Sequence, residues 1–280
     1  MIRAKKSLGQ NWLKSQAILA DIIEAGEVEA GDMVLEVGPG QGVLTEQLLN
    51  TGAQVIAVEK DDRLIDFLTA KFHLGVKLPS EKRGNLTLIH DDILEFDPAK
   101  AGLKAGEYKI IANLPYYITG QFLRQTLESA GPPSLMVLML QKEVAERIIG
   151  SPHPLGSEAP KLKESILSIS VKAYGTVKYI KTVPKKYFSP QPKVDSAILK
   201  IDRISKNFFN DLSEPKFFAL VKKGFAQKRK MLKGNLKCPL AVLNQCSIAA
   251  KARAEELSLR EWKCLAKSVP QKVCCQKRIL

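Results

Sequence analysis

Histidine and aromatic side chains are scarce in this chain of 280 residues, with 3 His, 2 Trp and 6 % aromatic residues. None of the three histidines falls in a recognisable motif, so reactive chemistry has to come from other side chains. The 5 cysteines, Cys238, Cys246, Cys264, Cys274 and Cys275, crowd into the C-terminal end, and none has the spacing of a metal finger. No metal site is expected. The opening residues, MIRAKKSLGQNWL, carry charge but no apolar stretch of signal-peptide type. A disulfide framework is therefore unexpected, and the cysteines are read as reduced thiols that pack helices or lie in the tail. No apolar run approaches the roughly 18–20 residues of a membrane helix. The longest, Leu135 to Leu140, is the size of a strand. These absences predict a soluble, cytoplasmic protein without membrane contact; a monomer is expected, although no sequence feature bears on oligomeric state.

What is present is an adequate core and a lopsided charge. Hydrophobic residues make up 45 % of the chain, which argues against global disorder. Its net charge is +14, but residues 1–202 hold 25 Lys and Arg against 24 Asp and Glu, while residues 203–280 hold 18 against 5. A basic excess confined to one segment fits a polyanionic partner, because neutralised phosphates release counterions.

The pattern changes at the same place as the charge. Short runs rich in Val, Ile and Leu predict strands over 33–37, 54–58, 86–89, 109–112 and 135–140. Helical spacing over 43–50 and 63–72 lies between them. Strand, helix, strand in repetition indicates an α/β fold with a mostly parallel sheet and right-handed crossovers. The runs 177–183 and 194–201 predict an antiparallel edge. From Arg203 the periodicity is helical, over 214–225, 239–246, 248–257 and 259–269, with Ser258 and Glu261 forming a capping box for the last. The domains predicted are 1–202, which contains a proline-rich loop at 150–160, and 203–280, which ends in a frayed tail of ten residues.

The first predicted strand runs into EVGPGQG, Glu36 to Gly42. Gly38, Gly40 and Gly42 allow a tight turn and close approach of a ligand, which open α/β sheets bind at the carboxyl ends of their strands. The spacing is GxGxG rather than the GxGxxG of dinucleotide sites, and Pro39 removes an N–H from a pyrophosphate cradle. The run fits S-adenosylmethionine, with Glu36 near its methionine end. Glu59, at the end of the second strand, can accept hydrogen bonds from ribose hydroxyls. At the end of the third, Asp92 can accept from an adenine amine and Ile93 can pack on the ring, with Asp91 as the competing acid.

The fourth strand ends in NLPY. An exocyclic adenine nitrogen is a poor nucleophile because its lone pair is delocalised. The Asn113 side-chain oxygen and the Leu114 carbonyl can each accept one of its N–H bonds and aim the lone pair at a methyl carbon. Pro115 stiffens the turn, and Tyr116 can stack on the base for roughly 1–3 kcal/mol. Such a displacement needs positioning and electrostatics more than a strong base. The base has to be unstacked first. Phe188, between Tyr187 and Pro190, is the candidate for clamping its second face, with Tyr187 as the alternative and Tyr117 as a further contributor.

Together these residues resemble the bacterial small-subunit ribosomal RNA adenine N6,N6-dimethyltransferases. The resemblance is carried by KKSLGQNWL (residues 5–13), EVGPGQGVLT (36–45), VEKD (58–61), NLPYYIT (113–119), LMLQKEVAERI (138–148), FSPQPKVDSA (188–197) and GFAQKRKML (224–232). It implies a class I S-adenosylmethionine-dependent methyltransferase fold, Rossmann-like with a mostly parallel seven-stranded sheet, and a small all-α C-terminal domain. It implies four methyl transfers to two adjacent adenosines in a hairpin loop near the 3′ end of that RNA, on a ribosomal assembly intermediate. It also implies that Gln10, Asn11 and Leu13 contact the cofactor, with Lys60 beside Glu59 in the VEKD run. Where the family shows a YGRLS-like run this chain reads KESILSISVKAYG, and the preceding loop Ser151–Lys161 is enlarged.

Lys222, Lys223, Lys228, Arg229, Lys230 and Lys233, with Lys237 beyond, are expected to grip RNA phosphates without reading sequence. Three other functions compete. A large-subunit methyltransferase of macrolide-resistance type shares fold and motif, but FSPQPKVDSA and GFAQKRKML favour the small subunit. A non-catalytic RNA-binding assembly or transcription factor is opposed by the intact Glu36, Gly38, Gly40, Glu59, Asp92 and Asn113–Tyr116. A DNA adenine methylase more often carries Pro at the second motif position.

Overall fold

The computed structural model describes residues 2–5, 8–74, 80–150 and 163–269. Both the enlarged loop at 151–161 and the tail bearing Cys274 and Cys275 lie outside them. The chain folds as two compact units, Met1–Ala145 with Thr176–Ile204, and Glu146–Gly175 with Ser205–Leu280. A single cut near residue 203 misses the segment 146–175, which joins the helical unit although it precedes the last strands. Sequence order cannot reveal a unit assembled from two separated pieces.

In the first unit, β1 (Trp12–Leu13) and α1 (Gln16–Ala25) precede β2 (Met33–Val37), α2 (Val43–Asn50), β3 (Gln54–Glu59) and α3 (Asp62–Lys71). There follow β4 (Ser80–Arg83), β5 (Leu86–His90), β6 (Tyr108–Asn113), α4 (Thr119–Glu128) and β7 (Leu135–Gln141), then α5 (Lys142–Ile149), which runs across the boundary, and α6 (Ile166–Lys172), which belongs to the second unit. The remaining strands are β8 (Thr176–Val183), β9 (Phe188–Ser189) and β10 (Ser196–Asp202).

Eight of these strands form one sheet in the order β4-β5-β3-β2-β6-β7-β10-β8. Neighbours from β5 to β7 are parallel, while β10 runs antiparallel to both β7 and β8. The expected seven strands are exceeded by β4, an antiparallel edge strand folded back on β5. Every residue of β7 from Leu135 to Leu140 is buried, as expected of a central strand covered on both faces. Chain order reverses at β2, which has β3 on one side and β6 on the other. The carboxyl ends of β2 and β6 therefore flank a topological switch point, where open α/β sheets place their ligands. Helix α1 packs Ile18, Leu19 and Ile22 into the core beside Leu44 and Leu48 of α2.

The second unit adds α7 (Glu214–Gly224), α8 (Leu232–Leu236), α9 (Leu240–Gln245) and α10 (Leu259–Ser268) to α6. Its core gathers Phe217, Leu220, Leu232, Leu243, Leu265 and the fully buried Trp262. Close packing demands Gly224, because a Cβ there would lie 2.3 Å from the Trp262 ring. The helix expected over 248–257 is absent. Ser247 takes a left-handed φ of 57° and Ile248 N–H bonds back to Leu243, which closes α9. Only a single 3-10 turn, Ala254–Glu256, follows.

Cys246 and Cys264 are joined in a disulfide across a Cα separation of 5.7 Å, which corrects the expectation of reduced thiols. The two residues stand 18 apart in sequence and meet because α9 and α10 pack together. That separation lies within the 4.4–6.8 Å a disulfide spans. Cys238 is free and buried. Among the described residues no helix is long and apolar enough to cross a membrane, and no cluster of His, Cys, Asp and Glu could hold a metal ion.

Candidate active site at the sheet switch point

A single pocket collects the ends of four neighbouring strands. Gly38 and Gly40 line it after β2, Glu59 and Lys60 at β3, Asp91 to Ile93 after β5, and Asn113 to Ile118 at β6. Residues 8–12 supply a further wall. The turn after β2 forms because its glycines adopt left-handed φ values, 67° at Gly38 and 59° at Gly40. A Cβ on Gly38 would meet nothing within 4 Å, so the turn leaves open space for a ligand. At Gly40 the reason is close packing instead, since a Cβ would approach the Trp12 ring to 3.2 Å.

Glu59 is only 7 % exposed and is held by three backbone amides. Its Oε2 accepts from Gly40 N–H at 3.3 Å, and its Oε1 accepts from Lys60 and Asp61 N–H, both at 2.9 Å. Burial nevertheless pushes its carboxyl above the ordinary range. Asp92 lies on the other side of Lys60, whose Nζ reaches its Oδ2 at 2.5 Å, while Leu94 N–H donates to its Oδ1 at 3.0 Å. Burial raises the Asp92 carboxyl, but those two donors outweigh it and hold the group below its ordinary value. Lys60 thus sits in the pocket wall as the partner of Asp92.

Asn113 closes β6 with a defined orientation. Its Nδ2 donates to the Asn11 carbonyl at 3.1 Å, which leaves Oδ1 as the acceptor end of the amide. Pro115, at φ −57°, leads into a short 3-10 turn over Tyr116–Ile118. The Tyr116 hydroxyl is tied at 2.8 Å to Ser196, a fully buried residue of β10. Tyr117 is 63 % exposed beside the same pocket.

Three predicted residues lie elsewhere. Glu36 borders a small adjoining cavity behind the glycine turn, together with Trp12 and Leu13. Burial pushes its carboxyl up to about 8. Its Oε2 and the Trp12 Nε1 are buried without a hydrogen-bond partner among the described residues, an arrangement that suits a polar group or water entering that cavity. Leu13 is a core residue, 7 % exposed. Phe188 pairs with Leu13 in the β1–β9 ribbon and is 5 % exposed within the same hydrophobic core. The structure therefore corrects the assignment of Phe188 as a base clamp. Its alternation along β9 turns the ring inward, and Tyr117 is the exposed ring at the pocket.

Sequence reasoning missed Leu8, Gly9 and Trp12 as wall residues, and Ser196 as the anchor of Tyr116. It also passed over Asp61, whose side chain is wholly buried although it bonds to Gln10 and Arg63. A carboxylate at the start of a helix reads simply as an N-cap, a role Asp61 also fills for α3.

In the second unit Lys222, Lys228, Arg229, Lys230, Lys233 and Lys237 are exposed, and Lys223 is half-buried. Among the described residues Lys228, Arg229, Lys230 and Lys233 have no carboxylate within 4.0 Å, and the chain holds no Asp or Glu between Glu214 and Glu255.

A mostly parallel sheet with a glycine turn, a buried acid and NLPY at neighbouring strand ends defines a Rossmann-like, class I methyltransferase fold. A crystallised 23S rRNA methyltransferase, ErmE, superposes with a TM-score of 0.72 at 23 % identity over 92 % of this chain and 98 % of that one. A dimethyladenosine transferase from Plasmodium falciparum also scores 0.72, at 25 % identity over 90 % and 95 %.

The family model described as ribosomal RNA adenine dimethylase matches residues 1–270. Ribosomal RNA small subunit methyltransferase A of Dehalococcoides mccartyi is 41 % identical over 98 % of this chain and 91 % of its own length. The protein of that name from Thermosynechococcus vestitus is 39 % identical over 97 % and 98 %. The chain belongs to the ribosomal RNA adenine dimethylase family.

Proposed function

We propose that this protein transfers methyl groups from S-adenosylmethionine to the N6 amines of two adjacent adenosines in a 3′-terminal hairpin loop of small-subunit ribosomal RNA. The observation that carries the reading is the Asn113 amide. Its N–H end is committed to Asn11, so its oxygen is the acceptor at the mouth of a pocket built for a nucleoside.

The residues present fit S-adenosylmethionine. Gly38 offers open space where any side chain would intrude, Glu59 presents a preorganised carboxylate for the ribose, and Asp92 with Ile93 frames a place for the adenine. Glu36 and Trp12, each with an unpartnered polar atom, bound the cavity that adjoins the glycine turn. When bound, the cofactor supplies a methyl carbon on a sulfonium, already an excellent leaving group. Asn113 Oδ1 and the Leu114 carbonyl accept hydrogen bonds from the N–H groups that the target amine carries and localise its lone pair, and each methyl gained is matched by one N–H proton released to solvent. Tyr116, held by Ser196, stacks on one face of the base, and Tyr117 is the ring available to the other. The gain is one of orientation and fixed dipoles rather than of a strong base. Lys222, Lys223, Lys228, Arg229, Lys230 and Lys233 hold the phosphates of the folded RNA.

The small subunit is favoured as substrate by the names of relatives about 40 % identical over nearly the whole chain. Undermethylated small subunits incubated with methyl-labelled S-adenosylmethionine should acquire label on two neighbouring adenosines, located by nucleotide mapping. Label on large-subunit RNA, or none on either, would overturn the proposal.

A further inference from the structure

One wall of the pocket is not part of the sheet. Residues 8–12 form an arm that crosses the strand ends, with Gly9 against the Tyr117 ring and Trp12 against Gly40. On one side it is secured by the β1–β9 ribbon, and by Lys14 N–H donating to the Tyr187 carbonyl at 2.9 Å. On the other it depends on the wholly buried side chain of Asp61, which follows β3. Gln10 Nε2 donates to Asp61 Oδ2 at 2.9 Å, and Lys5 Nζ stands 3.5 Å from Oδ1. Arg63 holds the same carboxylate through Nε at 3.0 Å and Nη2 at 2.6 Å, and its Nη1 also donates to the Arg3 carbonyl at 3.3 Å. The Gln10 amide oxygen in turn accepts from Lys5 N–H at 2.8 Å, so one side chain closes the turn of the arm and fastens it to the sheet.

We propose that Asp61 is a positioning residue that latches the N-terminal arm onto the sheet through Gln10 and so makes the arm a wall of the cofactor pocket, without itself touching the cofactor. This rests on the cofactor assignment above. The latch is separable from the ribose acid, because Asp61 reaches Glu59 with its backbone N–H, which any substitution keeps.

The test is Asp61→Asn. Asparagine remains a good N-cap for α3, but its amide cannot accept from Gln10 and from both sides of the Arg63 fork at once, because one oxygen becomes a donor. Binding of S-adenosylhomocysteine by calorimetry is expected to weaken about tenfold, as for loss of a hydrogen bond to a charged group, with KM for S-adenosylmethionine rising in step. Turnover at saturating cofactor should stay within about twofold, since bound cofactor favours the docked arm and with it the Asn11 carbonyl that orients Asn113. In the ligand-free protein, amide exchange should accelerate across residues 8–13 and stay unchanged in β3 and α3. Gln10→Ala should lose at least as much, because Gln10 itself lines the pocket, and the double variant should be no worse than Gln10→Ala alone. Unchanged affinity, additive losses in the cycle, or faster exchange spread through β3 and α3 would each overturn the latch. Failure of the wild-type protein to bind S-adenosylhomocysteine would instead remove the cofactor assignment, while the exchange measurement would still read the arm.

Discussion

The pocket-bearing unit and the helical unit use charge in different ways. In the first, ionised groups near the site are paired at short range and oriented by backbone amides. Asp61 is enclosed by Arg63, Gln10 and Lys5, Asp92 by Lys60, and Glu59 by three N–H groups. In the second, Lys228, Arg229, Lys230 and Lys233 project from exposed positions in a stretch without acid. Charges bonded at short range to fixed partners hold geometry, and where they are buried, as at Asp61 and Glu59, they respond weakly to salt. Exposed cations act over about a Debye length and are screened by salt. A catalyst that must place one amine within a fraction of an ångström needs the first kind. A surface that grips a polyanion of many registers is served by the second.

That contrast can be broken in several places. The largest effect is expected at Asn113. Asn113→Ala should reduce the single-turnover rate by about two to three orders of magnitude, the range seen when one preorganised group at a reacting centre is removed, while RNA affinity in a filter-binding assay stays within about twofold. Unchanged turnover would detach the amide from the chemistry. Next comes reversal of Lys228, Arg229 and Lys230 to Glu. RNA affinity should fall and the slope of log affinity against log salt should flatten by roughly one for each phosphate no longer neutralised, with S-adenosylhomocysteine affinity unaltered. An unchanged slope would take this cluster out of the interface.

A third comparison separates two aromatic rings within the pocket-bearing unit. Phe188→Ala should destabilise the fold by about 3–5 kcal/mol, as for a buried aromatic, read in chemical denaturation. Tyr117→Ala should leave stability within about 0.5 kcal/mol, as at exposed sites, yet lower methyl transfer. The reverse outcome would return Phe188 to the pocket. The smallest effect concerns Glu36. Its carboxyl is raised by burial from 4.5 to about 8, so the folded state holds a proton that the unfolded chain releases. That contribution to stability is complete below about 4.5 and is lost as pH rises through about 8. Ligand-free protein should therefore lose melting temperature between pH 6 and 8.5, by about 2 °C or more, and Glu36→Gln should flatten that fall. An identical pH profile in the variant would show that Glu36 is ionised throughout.

Much of the site was legible because strand ends are local features. The glycine turn, Glu59, Asp92 and NLPY each follow a short apolar run, and a parallel sheet must bring such ends to one edge. The turn at Gly38 to Gly42 needs left-handed backbone that only glycine adopts freely, so composition alone marks it. The antiparallel pairing of β8 with β10 was likewise visible as two adjacent runs of β-branched residues. The resemblance placed Gln10 and Asn11 at the cofactor, and the pocket does include them. What was not legible depends on residues far apart in the chain. Asp61 reads as a cap until Gln10, 51 positions earlier, is seen to bond to it. Phe188 reads as a loop aromatic until its pairing with Leu13 turns the ring into the core.

The sequence by itself determined the class of fold, the order of chemical groups along the switch-point edge and the confinement of excess positive charge to the C-terminal region. Each follows from local pattern, since periodicity, turn residues and net charge are properties of a few consecutive positions. Tertiary structure alone decided that residues 8–12 wall the pocket, that Phe188 is core while Tyr117 is exposed, that segment 146–175 belongs with the helical unit and that Cys246 meets Cys264. Those outcomes turn on which distant surfaces are buried against each other, and burial is a property of the whole packed chain rather than of any window along it.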